Sequence, residues 1–594
     1  MFLAITANSK FWDKNKELLF LGEWCKLYSS KKTWNQLSYK TLDYHWNDRT
    51  KLFDDYMYIE SIYKYYLEEL SKNLNRIHNI NKPISYWRII IGWWLRYFIE
   101  VFFDRYQNII NAENSYEELS TWIIDSDKIK EEFTPYNLDE FSDQVHKDDY
   151  NLYLFSFIIK NTNRLQFSCK EYEGTDQPLN KEKLIESKFS IRKIKTTVLN
   201  LYFYLFNFNS NIIFHQSYFG KKSLIKLQLK LGKFPNLELS IQNLKNKNCK
   251  SDRKKRKALK FEKTNDEFRN LLNVILQDQI PLIYFEDYTE VSKNVEKITN
   301  YVPKIIFTSN SHFNNDYFKI WTAKNVEKGT KLVIGQHGGH FGSGKFNSAL
   351  DNDLTISDKY VSWGWGKKDY SLIKGLPANK LICLKPRDAN HNSRTYKRIH
   401  MILSSYPRYS YRLYSIPFGP AWLETIKFQS IFVKHLSKKV QNELNIRPYM
   451  NNMGWDEAQR FKDQFPDISI DNQLLSWRDV LNQSKLNIET NNQTTFLESL
   501  ACNIPTVLVL QEKYWEMEDD ATNLFLEMKK VGMYFTDAKE AASFVNDISK
   551  NPLIWWEGDD VQDIKNRFCQ KYAKKSKNWI KEWALELNIS RFGS

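Results

Sequence analysis

Between residues 281 and 535 short apolar runs recur, each stopping at a glycine or a polar loop and each separated from the next by a stretch of helical patterning. Runs of four to six apolar residues alternating with helices are best satisfied by a parallel sheet covered on both faces. The runs expected as strands are 281–285, 304–308, 331–335, 360–363 and 380–384, and the series restarts after Pro386 and Arg387 with 400–404, 445–447, 467–470, 485–489, 506–510 and 531–535. Two such series in a row predict an α/β, GT-B-like chain: two Rossmann-like, doubly wound domains facing a cleft. The expected N-terminal domain is 1–390, with a helical insertion at about 48–110 and a basic loop at 249–263. The expected C-terminal domain is 391–574, followed by a helix at 575–594.

The first 210 residues are less regular. Strands are expected at 2–6 and 18–21, and another at 211–215. Tyr56, Ile59, Ile62, Tyr63, Tyr66 and Leu67 repeat at helical spacing inside the insertion. Residues 84–103 are the most membrane-like stretch, but Arg88, Arg96 and Glu100 interrupt it, and charges are costly at a bilayer centre. A buried or interfacial helix is expected there, not a span; Trp93, Trp94, Tyr97 and Phe98 beside two arginines suit an anionic bilayer surface. The six cysteines are isolated and form no CxxC pair, which argues against a zinc site or a disulfide framework and for a reducing compartment. A cytoplasmic location, possible peripheral contact with the inner membrane included, is the expectation. The net charge of +15 is concentrated in part at 250–263. A charge run of this kind is most often a solvated loop, and without an RNA- or DNA-binding motif no nucleic-acid partner is expected.

The sequence KLVIGQHGGHFGSG, residues 331–344, is the clearest candidate site. An apolar strand stops at Gly335 and is followed by Gln336, His337, Gly338, Gly339 and His340. Ligands of open α/β sheets bind at the carboxyl ends of strands, and glycines allow a backbone to approach a phosphate or sugar closely. His337 is the expected acid, base or phosphate contact, with His340 beside it. The alternative is a turn bearing two surface histidines. No GxGxxG follows the first strand and no GxxxxGK[ST] occurs, which argues against a nicotinamide enzyme and a P-loop NTPase.

A second motif, residues 485–510, places a strand ending at Glu489, a polar loop at 490–493 and a helix starting at Thr494 and Thr495 and carrying Glu498. A helix N-terminus suits a phosphate, and Glu498 suits ribose hydroxyls. Thr495 and Glu498 also read equally well as a plain capping box. Ser404, Ser405 and Arg408 follow one strand of this series, and Arg447 follows the next; arginines at adjacent strand ends suit an anionic donor. Carboxylates expected at strand-end loops are Glu23, beside Trp24, and Asp48, Asp351 and Asp353. Asp351-Asn352-Asp353 matches DxD, but no metal is expected, because a lone DxD is frequent by chance.

The segments ITANSKFWDKNKELLFLGEWCKLY, YHWNDR, NRIHNINKPISYWRIIIGWWLRYF, GQHGGHFG and TTFLESLACNIPT together resemble bacterial surface-polysaccharide transferases. They are similar to retaining pseudaminyltransferases and, distantly, to capsule Kdo transferases. The resemblance implies a metal-independent glycosyltransferase without a cofactor. Its donor would be a CMP-activated acidic sugar of the nonulosonic class, and its acceptor a capsule or O-antigen glycan. For such a transfer the catalytic candidates, by their place in strand-end loops, are His337, Glu23 and Asp351. Gln336, Gly338, Gly339, His340, Trp24 and Asp48 would face substrate, and Ser404, Ser405, Arg408, Arg447, Thr494, Thr495 and Glu498 the nucleotide. Where Kdo transferases tend to carry an Arg-Pro-His-Pro element, this chain has Arg447-Pro448-Tyr449-Met450. Rival readings are a CDP-alditol phosphotransferase and a non-catalytic glycan- or nucleic-acid-binding protein.

Overall fold

The computed structural model describes residues 1–173, 211–233, 238–239, 241–246, 248–367, 370–387 and 398–588. The chain forms two compact units: Met1–Gln216 with Asn236–Leu332 and Arg408–Leu413, and Ser217–Pro235 with Val333–Pro407 and Tyr414–Ser594. The boundary expected near 390 therefore falls inside the second unit. The expected basic loop and helical insertion both lie in the first.

The first unit holds a five-stranded parallel sheet of β1 (Phe2–Ala4), β2 (Leu18–Phe20), β3 (Tyr39–Thr41), β4 (Ser120–Ile123) and β5 (Gln166–Cys169), in the order β3-β2-β1-β4-β5. The strand order reverses at β1, as in a Rossmann sheet. Also in this unit, β6 (Ile212–His215) pairs in parallel with β7 (Ile305–Thr308). The helical insertion is two long helices, Arg49–His78 and Ile84–Ser115. Asp48 caps the first, accepting from the backbone N–H groups of Thr50 at 2.9 Å and Lys51 at 3.1 Å.

Of the two readings of this stretch, buried or interfacial, helix Ile84–Ser115 takes the buried one. Trp93, Trp94, Tyr97 and Phe98 are at most 1% exposed. Trp93 and Tyr97 pack on Phe313, and Trp94 packs on Tyr284. Arg96 is buried as well, because charge partners come with it: Glu60, and Glu100 at 2.6 Å, with the guanidinium over the rings of Tyr56 and Tyr63. The aromatic and arginine-rich face is thus core and offers nothing to a bilayer. Among the described residues no helix is long and apolar enough to cross a membrane.

The basic run is partly structural too. Arg256 is buried and holds Glu286 with a pair of hydrogen bonds at 2.6 and 2.7 Å, while also donating to the carbonyls of Gln277, Asp278 and Ile280.

In the second unit, the end of β8 (Lys331–Gly335), β9 (Lys359–Ser362) and β10 (Ile373–Gly375) run side by side in parallel. A separate six-stranded parallel sheet contains β11 (Arg398–Ile402), β12 (Leu444–Arg447), β13 (Ser469–Ile470), β14 (Ser484–Glu489), β15 (Thr506–Val509) and β16 (Tyr534–Phe535). Its order is β13-β12-β11-β14-β15-β16, again reversing at its first strand. Ile399, Met401, Ile446, Leu486, Ile488, Val507 and Val509 form its buried core with Phe432, Val433 and Ala541 of the covering helices. The α/β class with Rossmann-like parallel sheets is as expected.

Two expected strands are absent. Residues 281–285 form a 3-10 turn, Leu282–Tyr284, because the N–H groups of Leu282 and Ile283 are taken by the carbonyls of Pro135 and Tyr136. Residues 380–384 are a turn closed by the Ala378 carbonyl, and Ile373–Gly375 takes the edge position beside β9. Both segments are short apolar runs, for which burial alone does not specify strand. The expected terminal helix is shorter, Trp579–Glu586.

Candidate active site

The second unit's six-stranded sheet has its switch point between β11 and β14. Two loops leave the carboxyl ends of those strands: Leu403 to Tyr406 and Thr490 to Gln493. Thr490 ties them together, its Oγ1 donating to the carbonyl of Ile402 at 2.7 Å. Helix Thr494–Ala501 starts immediately after the second loop, and no side chain caps it.

The glycine loop after β8 meets this helix start. The backbone N–H of Gly339 donates to Thr494 Oγ1 at 3.0 Å. A Cβ on Gly339 would lie 2.3 Å from the carbonyl carbon of Gln493, and one on Gly338 would lie 3.2 Å from Thr494 Oγ1. The two glycines are therefore needed for close approach, as the sequence suggests. His340, in the left-handed region at φ +71°, places Nδ1 at 2.9 Å from Asn492 Oδ1. Gln336 braces the loop from behind: Oε1 accepts from the Trp363 N–H at 2.9 Å and Trp365 Nε1 at 2.8 Å, and Nε2 donates to the Gly338 carbonyl.

Thr495 and Glu498 do not form a capping box. The hydroxyl of Thr495 turns back to Glu489 Oε2 at 2.9 Å, and Ser499 Oγ donates to Glu489 Oε1 at 2.9 Å. Glu489 is fully buried at the end of β14, and burial pushes its carboxyl up to about 8 against these two hydroxyls. Glu498 is also raised by burial, with Lys380 Nζ at 3.8 Å pulling the other way. Ser405 donates to Glu457, which also accepts from Trp422 Nε1 at 2.9 Å, and Tyr406 meets Gln493. Ser404 is buried in the same loop.

His337 is half-buried, its ring edge-on to Phe341 with centroids 4.7 Å apart. His340 is 4% exposed, and burial lowers its pKa to about 4, outweighing the Asn492 hydrogen bond and the Glu516 carboxylate. It is neutral at physiological pH. Asp351, Asn352 and Asp353 lie on helix Ser348–Ile356, with Asn352 and Asp353 buried, so the DxD residues are not in an open loop. Burial raises the Asp351 carboxyl to about 7, Asp353 adding to it and Lys367 opposing. Arg447 is committed to Asp471 at 2.6 Å and to the Leu475 carbonyl at 3.1 Å.

The remaining expected residues lie in the first unit. Glu23 begins the turn Glu23–Cys25 and pairs with Lys26 at 2.9 Å. Trp24 is buried and donates from Nε1 to the Ile5 carbonyl at 3.2 Å. Arg408 is buried, donating to the Trp24 carbonyl and pairing with Asp148 at 2.8 Å; Asp148 also accepts from Tyr409 at 2.6 Å and from the Ala7 N–H at 3.0 Å. Its partners are thus protein groups of the first unit: the Trp24 carbonyl after β2 and Asp148 at the start of helix Asp148–Thr162. Asp48 is spent as a helix cap.

Asn492, Glu489, Glu457, Ser415 and Asp148 escaped the sequence reading. Asn492 and Glu489 carried a positional signal, since both sit where a strand runs into the polar loop. Glu457, Ser415 and Asp148 carried none.

The sequence profile of the LIC12162 family transferases matches residues 1–587. The chain belongs to that family. This LIC12162 family transferase matches no curated protein. Among solved structures it is similar to the trehalose-6-phosphate synthase OtsA, with 12% identity over 53% of this chain and 78% of that one and a TM-score of 0.31. It is similar to MurG of Acinetobacter baumannii at 10% identity, over 64% of this chain and 99% of that one, with a TM-score of 0.31. It is also similar to the pneumococcal O-GlcNAc transferase GtfA, crystallised with UDP and GlcNAc, at 12% identity over 51% and 59% of the two chains and a TM-score of 0.33. Overlaps this loose identify neither donor nor acceptor.

Proposed function

We propose that this transferase is a glycosyltransferase that binds its nucleotide-sugar donor at the switch point of the second unit's six-stranded sheet. One observation carries the reading: the glycine loop after β8 and the uncapped start of helix Thr494–Ala501 come into hydrogen-bond contact there. A helix N-terminus and backbone N–H groups are matched to phosphate oxygens, and the switch point is where open α/β sheets take nucleotides. His337, half-buried on the same loop, is the base or phosphate contact, and Asp351 is the carboxylate candidate of this unit.

The donor is a CMP-linked acidic sugar of the nonulosonic class, transferred with retention to a capsule or O-antigen glycan. The resemblance of the five quoted segments supports this choice, and the net charge of +15 suits an acidic donor. CMP is already a good leaving group, so the protein's main tasks are to stabilise its phosphate and to place the acceptor hydroxyl. No metal is required by that division of labour.

Calorimetric titration with CMP, CDP, UMP and UDP, without added metal, tests the reading. Selective CMP binding that is lost in Gly339→Val is the expected result. A preference for UDP keeps the site and discards the sugar class. A preference for CDP points to alditol-phosphate transfer, and no binding to any of the four removes the donor site.

A further inference from the structure

His340 is built into the site in a way that a substrate-contacting histidine is not. Its backbone sits in the left-handed region, which is strained for a non-glycine residue. Its ring is 4% exposed and lies edge-on to Trp515, with centroids 5.7 Å apart. On one side Nδ1 meets Asn492 Oδ1 at 2.9 Å. On the other, Nε2 is 3.4 Å from the hydroxyl of Ser415, which is itself fully buried and 3.3 Å from the Phe346 carbonyl. Room for that ring depends on Gly344, where a Cβ would stand 2.2 Å from Nε2. The second amide atom of Asn492, Nδ2, is buried without a partner.

We propose that Asn492, His340 and Ser415 form a fixed relay in which His340 is a positioning residue of the donor site. Asn492 Oδ1 can only accept, so Nδ1 carries a proton, and a ring this buried keeps only that one, leaving the Nε2 lone pair toward the Ser415 hydroxyl. The neutral ring is thereby a strut between the helix-start loop and Ser415, and it holds Gly338 and Gly339 over Thr494. His340 neither gives nor takes a proton during transfer. This role rests on the donor-site reading above, but the state of the imidazole does not.

Both parts are tested on the full chain. Nitrogen-15 histidine spectra, with His340 identified by its loss in His340→Gln, should show one neutral tautomer protonated on Nδ1 and unchanged from pH 8 to pH 5. Groups facing the ring include the Glu516 carboxylate, whose pull toward protonation burial outweighs. Asn492→Asp sets a carboxylate against Nδ1 and should bring an imidazolium into that pH window. In titrations with CMP, CDP, UMP and UDP, His340→Leu and Asn492→Leu should each weaken the preferred nucleotide about tenfold, whereas His340→Gln, which can still donate and accept, should stay within about threefold. A wild-type imidazole that titrates near its ordinary value, or populates both tautomers, overturns the relay whether or not a nucleotide binds. A correct tautomer in a protein that binds none of CMP, CDP, UMP and UDP overturns the donor site and the positioning role with it. Equal affinity in the wild type and in His340→Leu overturns the positioning role alone.

Discussion

Gly339 and Thr494 are 155 residues apart in the chain, yet the N–H of the one donates to the hydroxyl of the other at 3.0 Å. The contact is possible only because position 339 has no side chain: a Cβ there would lie 2.3 Å from the Gln493 carbonyl carbon and 2.7 Å from the Thr494 nitrogen. The obstruction is backbone, which cannot swing aside as a side chain can. Gly339→Ala should therefore push the loop off the helix start, at about 1–3 kcal/mol for an overpacked site. Thermal unfolding should show a modest loss of stability, and calorimetry a much larger loss of nucleotide affinity. Gly338→Ala, where the contact is 3.2 Å to a side-chain oxygen, should be milder in both.

Two buried groups at the same switch point respond to pH in opposite senses. Glu489 ionises at about 8 in the folded protein against an ordinary 4.5. Between those values the folded state holds a proton that the unfolded state has released, so stability falls as pH rises from about 4.5 to 8. His340 ionises at about 4 against an ordinary 6.5, so the unfolded state binds the extra proton and stability falls as pH drops from 6.5 to 4. Urea titrations across pH 5 to 8 should show Glu489→Gln gaining on the wild type toward high pH by on the order of a few kcal/mol. His340→Gln should gain on the wild type toward low pH instead. Asp351, raised to about 7, contributes in the same sense as Glu489, so the Glu489 effect is read as a difference from wild type, not as an absolute slope.

The parallel α/β layout was legible because apolar, mostly β-branched runs such as Leu332 to Ile334 and Val507 to Val509 end in loops and alternate with helices. It failed at 281–285 and 380–384, where an apolar run is buried as a turn. Local sequence carries the burial of such a run but not the partner that claims its N–H groups. The two motifs of the candidate site were visible separately. Their meeting was not, because nothing in the spacing of Gly339 and Thr494 encodes contact between a loop and a helix start that follow strands of different sheets. Arg408 was misleading for a related reason: its place after a strand suggests an anion, and only the fold brings Asp148 and the Trp24 carbonyl to it.

Arg408 separates a structural from a ligand-binding role. Its side chain and that of Asp148 are both largely buried, at 8% and 15% exposure, and face each other at 2.8 Å. Removing one partner leaves the other charged without compensation, which typically costs about 3–5 kcal/mol. Arg408→Ala and Asp148→Asn should both lower the urea midpoint strongly. The Arg408→Leu, Asp148→Leu double variant should recover part of the loss, since neither buried charge remains. If Arg408→Ala instead leaves the midpoint unchanged and abolishes CMP binding, the arginine serves the donor.

The aromatic helix makes the last test. Trp94 is fully buried, stacked on Phe98 with ring centroids 5.8 Å apart and tilted against Tyr284 at 6.3 Å. In a core position Trp94→Ala should cost about 3–5 kcal/mol. At a bilayer surface it would cost little stability and much affinity for lipid. The burial decides between these, and so does that of Arg96, which is held among Glu60, Glu100, Tyr56 and Tyr63 and cannot reach a headgroup without breaking a buried ion pair. Sedimentation with anionic liposomes at low salt should therefore give the same bound fraction for the wild type and for the milder Trp94→Phe, while chemical unfolding shows both Trp94 variants destabilised. A Trp94→Phe protein as stable as the wild type but released from liposomes would show that this helix leaves the core to meet a membrane.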